Sequence, residues 1–228
     1  MPTKQQIEEM FNAIAPDYDR MNHIMSFSID RRWRRKAVCA IADCREPLRI
    51  LDVAAGTGDF AIAIAKKVHP DSEIVGIDLS EKMLEVGRKK VPGNVLLQQG
   101  DVEALPFPDN HFDRLSVAFG IRNFEHLEQG LAEMHRVLRP GGKMVILELS
   151  YPESQFLLWC YKLYALHFLP FIGGLISGDR EAYTYLPQSI LKFPKAGRIV
   201  QTLERTGFQR VGVRRFTFGV CTMYTGKK

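Results

Sequence analysis

Cysteine is sparse and unpaired in this chain: Cys39 and Cys44 stand five apart with no second pair, and Cys160 and Cys221 are isolated. That spacing excludes the usual zinc frameworks and reads as reduced thiols of a cytosolic protein, with no metal. An apolar leader is missing too. The opening MPTKQQIEEMF is polar and amphipathic, without a signal peptide's apolar centre or the arginine-rich character of a transit peptide, so a cytoplasmic protein is expected. Internal repeats and low-complexity segments are absent. So is an unbroken apolar run of the ~20 residues needed to span a bilayer. The nearest is FLLWCYKLYALHFLPFIGGLI at 156–176, interrupted by Lys162, His167, Pro170 and the pair Gly173-Gly174. A central lysine costs about 2.5–3.5 kcal/mol on insertion scales. The stretch reads better as a buried helix or as a helix and turn that handles lipid.

What is present is an ordinary globular composition, 46% apolar and 25% charged over 228 residues, enough for one large domain with appendages. The net charge is +5, and much of it sits in RRWRRK, where Arg31, Arg32, Arg34, Arg35 and Lys36 surround Trp33. Such a cluster could meet nucleic acid or anionic headgroups, or simply be a solvated helix face.

Residues 3–45 read as helical throughout, with a break at Ala15-Pro16 and helices near 17–25 and 29–43. The pattern then alternates. Strands are expected at 48–54, 73–79, 94–100 and 112–120, with helices at 58–68, 80–90 and 126–138. Pro140-Gly141-Gly142 should stop the last helix before a strand at 143–149, and a helix near 195–206 precedes two strand-like runs that can pair antiparallel. Continuous apolar strands alternating with helices predict an α/β fold: a mostly parallel sheet covered on both faces. The expected organisation is a helical N-terminal cap over 1–45, a ligand-binding core over 46–150, an apolar insertion over 151–194, and a closing helix and strand pair over 195–228.

In such sheets ligands bind beyond the carboxyl ends of the strands. The first strand ends LDVAAGTGDF, where Gly56 and Gly58 let backbone approach a ligand. Residues 56–61 nominally satisfy the dinucleotide fingerprint G-x-G-x-x-G/A, with Asp78 about 20 residues on. Asp59 argues against a dinucleotide, because a carboxylate at the helix start repels pyrophosphate; its plain alternative is a helix cap. A cationic, phosphate-free ligand such as S-adenosylmethionine suits the loop instead. Asp78 is placed to take both ribose hydroxyls, or to cap before Ser80. Asp101 and Val102, ending the third strand, can pair with an adenine's amino group and ring nitrogen.

These residues resemble the class I S-adenosylmethionine-dependent methyltransferases. YDRMNHIMSFSIDRRW (18–33), AFGIRNF (118–124), RVLRPGGKMVILELS (136–150) and GDREAYTYLPQSILKFP (178–194) are similar to blocks of the ubiquinone/menaquinone biosynthesis C-methyltransferase family. The resemblance covers nearly the whole chain. It departs at Asp30, where relatives usually have histidine, at Ala118, where many have serine, and at Thr217-Phe218-Gly219, which replaces a more usual Thr-Gly-Gly.

The resemblance implies a Rossmann-like seven-stranded fold with a helical lid, S-adenosylmethionine as cofactor, and a polyprenylated hydroquinone as substrate, most like demethylmenaquinol. It implies cofactor contacts at Gly56, Thr57, Gly58, Asp78, Asp101, Val102 and Ala118, the last without a side-chain hydroxyl. Arg122 and Asn123 fall where the family places substrate-activating groups: Arg122 to stabilise a phenolate or order a water, Asn123 to orient it. Against this, Arg122 could simply pair with Glu125 or a backbone carbonyl. Tyr18, Asp179, Tyr183 and Tyr185 belong to the substrate side, with Asp19 beside Tyr18 closing over the cofactor; Tyr18 could equally be a core aromatic. His167 reads as an interfacial or core histidine rather than a base. The lid at 156–176 would sequester the prenyl tail while RRWRRK rests on the inner face of the membrane as a transient contact; a homodimer is compatible.

Nucleic acid is not an expected partner, since an Asn/Asp-Pro-Pro-aromatic run is missing where AFGIRNF stands. The other readings are a benzenoid ubiquinone precursor as substrate, a NAD(P) oxidoreductase, and a non-catalytic quinone carrier.

Overall fold

The computed structural model describes residues 3–163 and 180–228. Three helices precede the first strand: α1 (Lys4–Ile14), α2 (Tyr18–Met25) and α3 (Asp30–Ile41). Thr3 starts α1 with a reciprocal capping box to Gln6, and Pro16 lies in the break between α1 and α2. On α3 the residues Asp30, Trp33, Ala37, Val38 and Ile41 are buried, a helical stripe facing inward. The basic cluster is therefore not one surface face. Arg31, Arg32, Arg35 and Lys36 are exposed, whereas Arg34 lies on the inner side beside Trp33.

The strands are β1 (Arg49–Val53), β2 (Glu73–Asp78), β3 (Val95–Gln99), β4 (Phe112–Ala118), β5 (Leu138–Leu149), β6 (Gln209–Phe216) and β7 (Cys221–Lys227). They form one seven-stranded sheet in the order β3-β2-β1-β4-β5-β7-β6. β1 to β5 run parallel, and β7 is antiparallel to both β5 and β6. The Rossmann-like arrangement is the one the resemblance implies. Alternate strand residues point to opposite faces. Leu51, Val53, Met144 and Ile146 pack with α6 (Leu127–Val137) and α9 (Ala196–Arg205). Ile50, Val145 and Leu147 pack with α3, α4 (Asp59–Ala65) and Leu84 of α5 (Glu81–Arg88).

One boundary differs from expectation. α6 ends at Val137 without needing Pro140-Gly141-Gly142, because Leu138 turns extended and already pairs with Phe112. The proline and glycines instead sit within β5, in the irregular register between the Leu138 and Lys143 pairings. Gly141 has φ 76°, a conformation that favours glycine.

Between β5 and α9 lie α7 (Gln155–Leu163) and α8 (Arg180–Lys192). α7 is the first part of the apolar stretch and leaves Phe156, Trp159 and Leu163 exposed. The remainder of that stretch, with His167, Pro170 and the glycine pair, lies outside the described residues, as does Asp179. Among the described residues no helix is long and apolar enough to cross a membrane.

The sheet changes direction of winding between β1 and β4, with β2 and β3 on one side and β4 and β5 on the other. That switch point is where an open parallel sheet presents its ligand crevice.

Candidate functional site

The turn after β1 is wound tightly, with Ala54, Gly56 and Gly58 at φ of 52°, 55° and 78°. Gly120, in the turn after β4, presses against it: a Cβ there would come within 2.5 Å of Ala54 Cβ. The two turns thus meet at a contact only glycine permits. Asp78, at the end of β2, fixes the geometry, since its Oδ2 accepts from Gly56 N (2.7 Å) and its Oδ1 from Ser80 N (2.9 Å). Ser80, not Asp78, is the residue whose side chain caps α5. Burial raises the Asp78 carboxyl above its ordinary value, against the pull of those backbone donors.

A cavity with an empty volume of about 730 Å³ opens at this edge. Gly56, Asp78, Asp101, Val102, Ala118 and Asn123 line it, together with Tyr18 and the inner face of α1. Thr57 and Gly58 do not: Thr57 is buried and its hydroxyl donates to Asp19 Oδ1 (2.5 Å), while Gly58 starts α4. Asp101 Oδ1 accepts from Glu103 N (2.9 Å), and Lys4 Nζ of α1 lies 2.6 Å from Asp101 Oδ2 and 2.7 Å from Glu103. Asn12 Oδ1 accepts from the Ser80 hydroxyl at 2.7 Å. The first two helices are therefore tied by polar contacts to the ends of all three strands on this side.

Asp59 does not play the part expected of it. It is absent from the cavity lining, and Lys90 Nζ bridges it and Asp19, 2.5 Å from each. It does not cap α4 either. The electrostatic preference comes from elsewhere: the lining carries Glu8, Asp78, Asp101, Glu103 and Glu125 against one cation, Lys4. Such a cavity attracts a cationic ligand and repels a pyrophosphate. S-adenosylmethionine fits this donor set: a sulfonium and an amine for the acidic field, carboxylates at the ends of β2 and β3 for ribose and adenine, and Ile7, Phe11 and Phe124 for the apolar ring.

A second cavity lies beside the first and shares Tyr18 and Phe119 with it. Its wall is largely apolar, with Trp33, Leu149, Leu186 and Ile190, but Asp30, Arg34 and Arg122 also line it. Arg122 and Asn123 thus face different cavities although adjacent in the chain. Asn123 Oδ1 accepts from the Tyr185 hydroxyl at 3.0 Å, which ties α8 to the turn after β4. Arg122 is buried and pairs with Glu148 at 2.8 Å; its Nη1 also donates to the Phe119 carbonyl. The expectation of a carbonyl partner is met, whereas Glu125 is not the partner among the described residues. Tyr18 is half-buried, packs edge-on against Phe11 with ring centroids 5.9 Å apart, and burial raises its phenol above the ordinary value. The side chain of Tyr183 lies outside the described ones.

Sequence reasoning missed Lys4, Glu148 and the inward Arg34. Two of them left a signal. Asp30, Trp33, Arg34, Ala37, Val38 and Ile41 recur at helical spacing, so Arg34 stands on the apolar stripe of its helix. Glu148 interrupts the apolar strand VILEL.

A family model described as the ubiE/COQ5 methyltransferase family matches residues 2–228. The demethylmenaquinone methyltransferase of Bacteroides fragilis is 46% identical, over 98% of this chain and 93% of its own. The ubiquinone/menaquinone biosynthesis C-methyltransferase UbiE of Geobacter sulfurreducens is 47% identical, over 98% of this chain and 89% of its own. Among solved structures the cyclase SpnF superimposes with a TM-score of 0.73 at 18% identity, over 100% of this chain and 97% of its own. A SAM-dependent methyltransferase from Thermotoga maritima does so with 0.66 at 19% identity, over 96% and 99%. These two likenesses speak for the fold alone.

Proposed function

Because the chain belongs to the ubiE/COQ5 methyltransferase family, we propose that it methylates a ring carbon of a polyprenyl hydroquinone with S-adenosylmethionine, converting demethylmenaquinol to menaquinol. The observation that carries this reading is the meeting of an acidic cavity and a largely apolar one at Tyr18 and Phe119. When bound, S-adenosylmethionine supplies an electrophilic methyl group on a sulfonium centre. Asp78 and Asp101 hold its nucleoside, Val102 offers a backbone N–H to the ring, and Ala118 packs against it. Gly56, Thr57 and Gly58 shape the turn around the amino-acid head, Thr57 acting through its bond to Asp19 rather than from the cavity wall.

A quinol ring carbon becomes nucleophilic when a neighbouring hydroxyl loses its proton. The second cavity must therefore hold the ring in line, keep bulk water away, and favour an oxyanion. Asn123, braced by Tyr185, orients the ring where the cavities meet. Arg122 is neutralised by Glu148 and serves by holding the turn that presents Asn123. Asp179 and Tyr183 are assigned to the substrate side with the rest of the lid, residues 151–194, and residues 1–45 form the cap over the cofactor.

Exposed apolar side chains support contact with a membrane: Phe27, Trp159, Leu163 and Phe218 all stand open to solvent. Phe218 is 81% exposed at φ 57°, a backbone conformation where the family's more usual residue is glycine. A strained, exposed phenylalanine suits insertion among acyl chains, and the exposed Arg31, Arg32 and Arg35 suit anionic headgroups. Replacing Phe218 with glycine should weaken sedimentation with anionic vesicles without loss of thermal stability; unchanged sedimentation removes the membrane contact.

The decisive test is transfer of labelled methyl from S-adenosylmethionine to reduced demethylmenaquinone, counted in the organic extract. Label only in a benzenoid precursor changes the substrate. Quinol binding without label in any product makes the chain a carrier.

A further inference from the structure

We propose that Arg34, not Arg122, holds the developing oxyanion of the substrate ring. The inference rests on the methyl-transfer reading and deepens it. Arg122 has its charge met inside the protein: Glu148 accepts from its backbone N and its Nη1, and the Phe119 carbonyl accepts as well. A buried guanidinium so closely paired with a buried carboxylate is committed to that partner.

Arg34 is different. Its nearest ion-pair contact is Asp30, with Nε 3.5 Å from Oδ2, one turn back on the same helix. That separation is too long for a good hydrogen bond. Nε is buried with no hydrogen-bond partner among the described residues, as is Arg122 Nε, so what sets Arg34 apart is that no carboxylate pairs with it as closely as Glu148 pairs with Arg122. The other Asp30 oxygen accepts from the Ser26 hydroxyl at 2.7 Å, which turns part of the carboxylate away from Arg34. The guanidinium lies 5.0 Å from the centre of the Phe119 ring, the ring common to both cavities. Arg34 is thus a cation at the junction where ring and methyl donor must meet, with donor capacity left over, in a wall otherwise largely apolar. An unmet buried donor is costly and calls for a ligand atom.

The chemistry such a group assists is balanced as follows. A ring hydroxyl gives its proton to solvent, and the oxyanion rests against the guanidinium. The ring carbon forms its bond to the methyl as the carbon–sulfur bond breaks, its electron pair staying on sulfur. The carbon then loses its own proton and the oxygen regains one, so one proton is released per methyl transferred.

The test uses 1-naphthol, whose ionised form absorbs at longer wavelength, bound to the full-length protein in the presence of adenosylhomocysteine. The charged and titratable neighbours facing Arg34 are Asp30 and Tyr18 from the cap helices, Asp52 from β1, Arg122 with Glu148 behind it, Cys221 from β7, and Tyr161 from α7. The wild-type protein should ionise naphthol at lower pH than water does. Arg34→Gln should raise that midpoint by about one unit, a tenfold change in the ionisation constant. Arg34→Lys should keep most of the wild-type shift, and Asp30→Asn, by removing a negative neighbour, should move the midpoint the other way. A midpoint that is the same in wild type and Arg34→Gln overturns the proposal, as does Asp30→Asn raising it in parallel with Arg34→Gln. Turnover is read separately: a wild-type protein that shifts naphthol but methylates no quinol leaves Arg34 standing and refutes the methyl-transfer reading.

Discussion

Arg122 and Glu148 meet at 2.8 Å with 4% and 1% of their side chains exposed, so β5 and the turn after β4 are joined by an ion pair that water does not reach. Removing one member of such a pair leaves the other charge buried and uncompensated, at a cost of about 3–5 kcal/mol. Glu148→Ala should lower the unfolding free energy by that order in urea titrations. Glu148→Gln, which keeps an acceptor for the Arg122 donors, should cost less. Equal stability of both variants and the wild type would mean that the pair does not form.

Asp52 lies in β1 directly beneath the glycine turn, where burial pushes its carboxyl up to about 7 despite a 2.6 Å hydrogen bond from the Ser116 hydroxyl. The folded state then holds a proton that the unfolded chain gives up near its ordinary carboxylate range. Stability from this group is complete below about pH 4, falls as pH rises, and levels off above about pH 7. The whole span corresponds to at most about 4 kcal/mol. Asp52→Asn has no charge to bury, so its advantage over the wild type should be nil near pH 4 and largest by pH 8. Parallel melting-temperature profiles across that range would contradict the assignment.

The core of this fold was legible because its strands are apolar on both faces and its helices carry one apolar stripe, patterns that depend only on which side each residue buries. The ends of β1, β2 and β3 were legible for a related reason, since Gly56, Asp78 and Asp101 stand where apolar strands give way to turns. Position along a strand does not reveal which atoms already have partners. Asp59 looked decisive in the sequence, yet Lys90, 31 residues on, neutralises it. Arg122 likewise reads in the sequence as a substrate-activating group or as paired with Glu125 or a carbonyl, and only the assembled sheet brings Glu148 of β5 beside it. Long-range pairings of this kind form only when the sheet is assembled, and no local pattern announces them.

Lys4 ties α1 to the ends of β3 and its following turn through Asp101 and Glu103. It is partly exposed, so the tie is of the order of 1 kcal/mol. Its loss should let α1 open about five times more often. Lys4→Met is therefore expected to raise amide exchange across residues 4–14 about fivefold, with β1 to β5 unaffected. Because α1 lines the first cavity, the same variant should release adenosylhomocysteine faster. Exchange confined to wild-type rates would show that packing of Ile7 and Phe11 alone holds the helix.

Asp59 and Asp78 both flank the glycine turn, but only Asp78 faces the first cavity. If the acidic lining selects a cationic ligand, the two should differ sharply in calorimetry. Asp78→Ala removes a charged acceptor from ribose and also the anchor of Gly56 and Ser80, and charge-assisted bonds are worth about 1.5–3 kcal/mol each. Adenosylhomocysteine should therefore bind roughly 10–100-fold more weakly. Asp59→Asn should leave that affinity within about threefold, corresponding to less than 1 kcal/mol, and should not admit NADH, because the other five carboxylates remain. Measurable NADH binding by Asp59→Asn would return the selectivity to the helix start and take it away from the cavity lining.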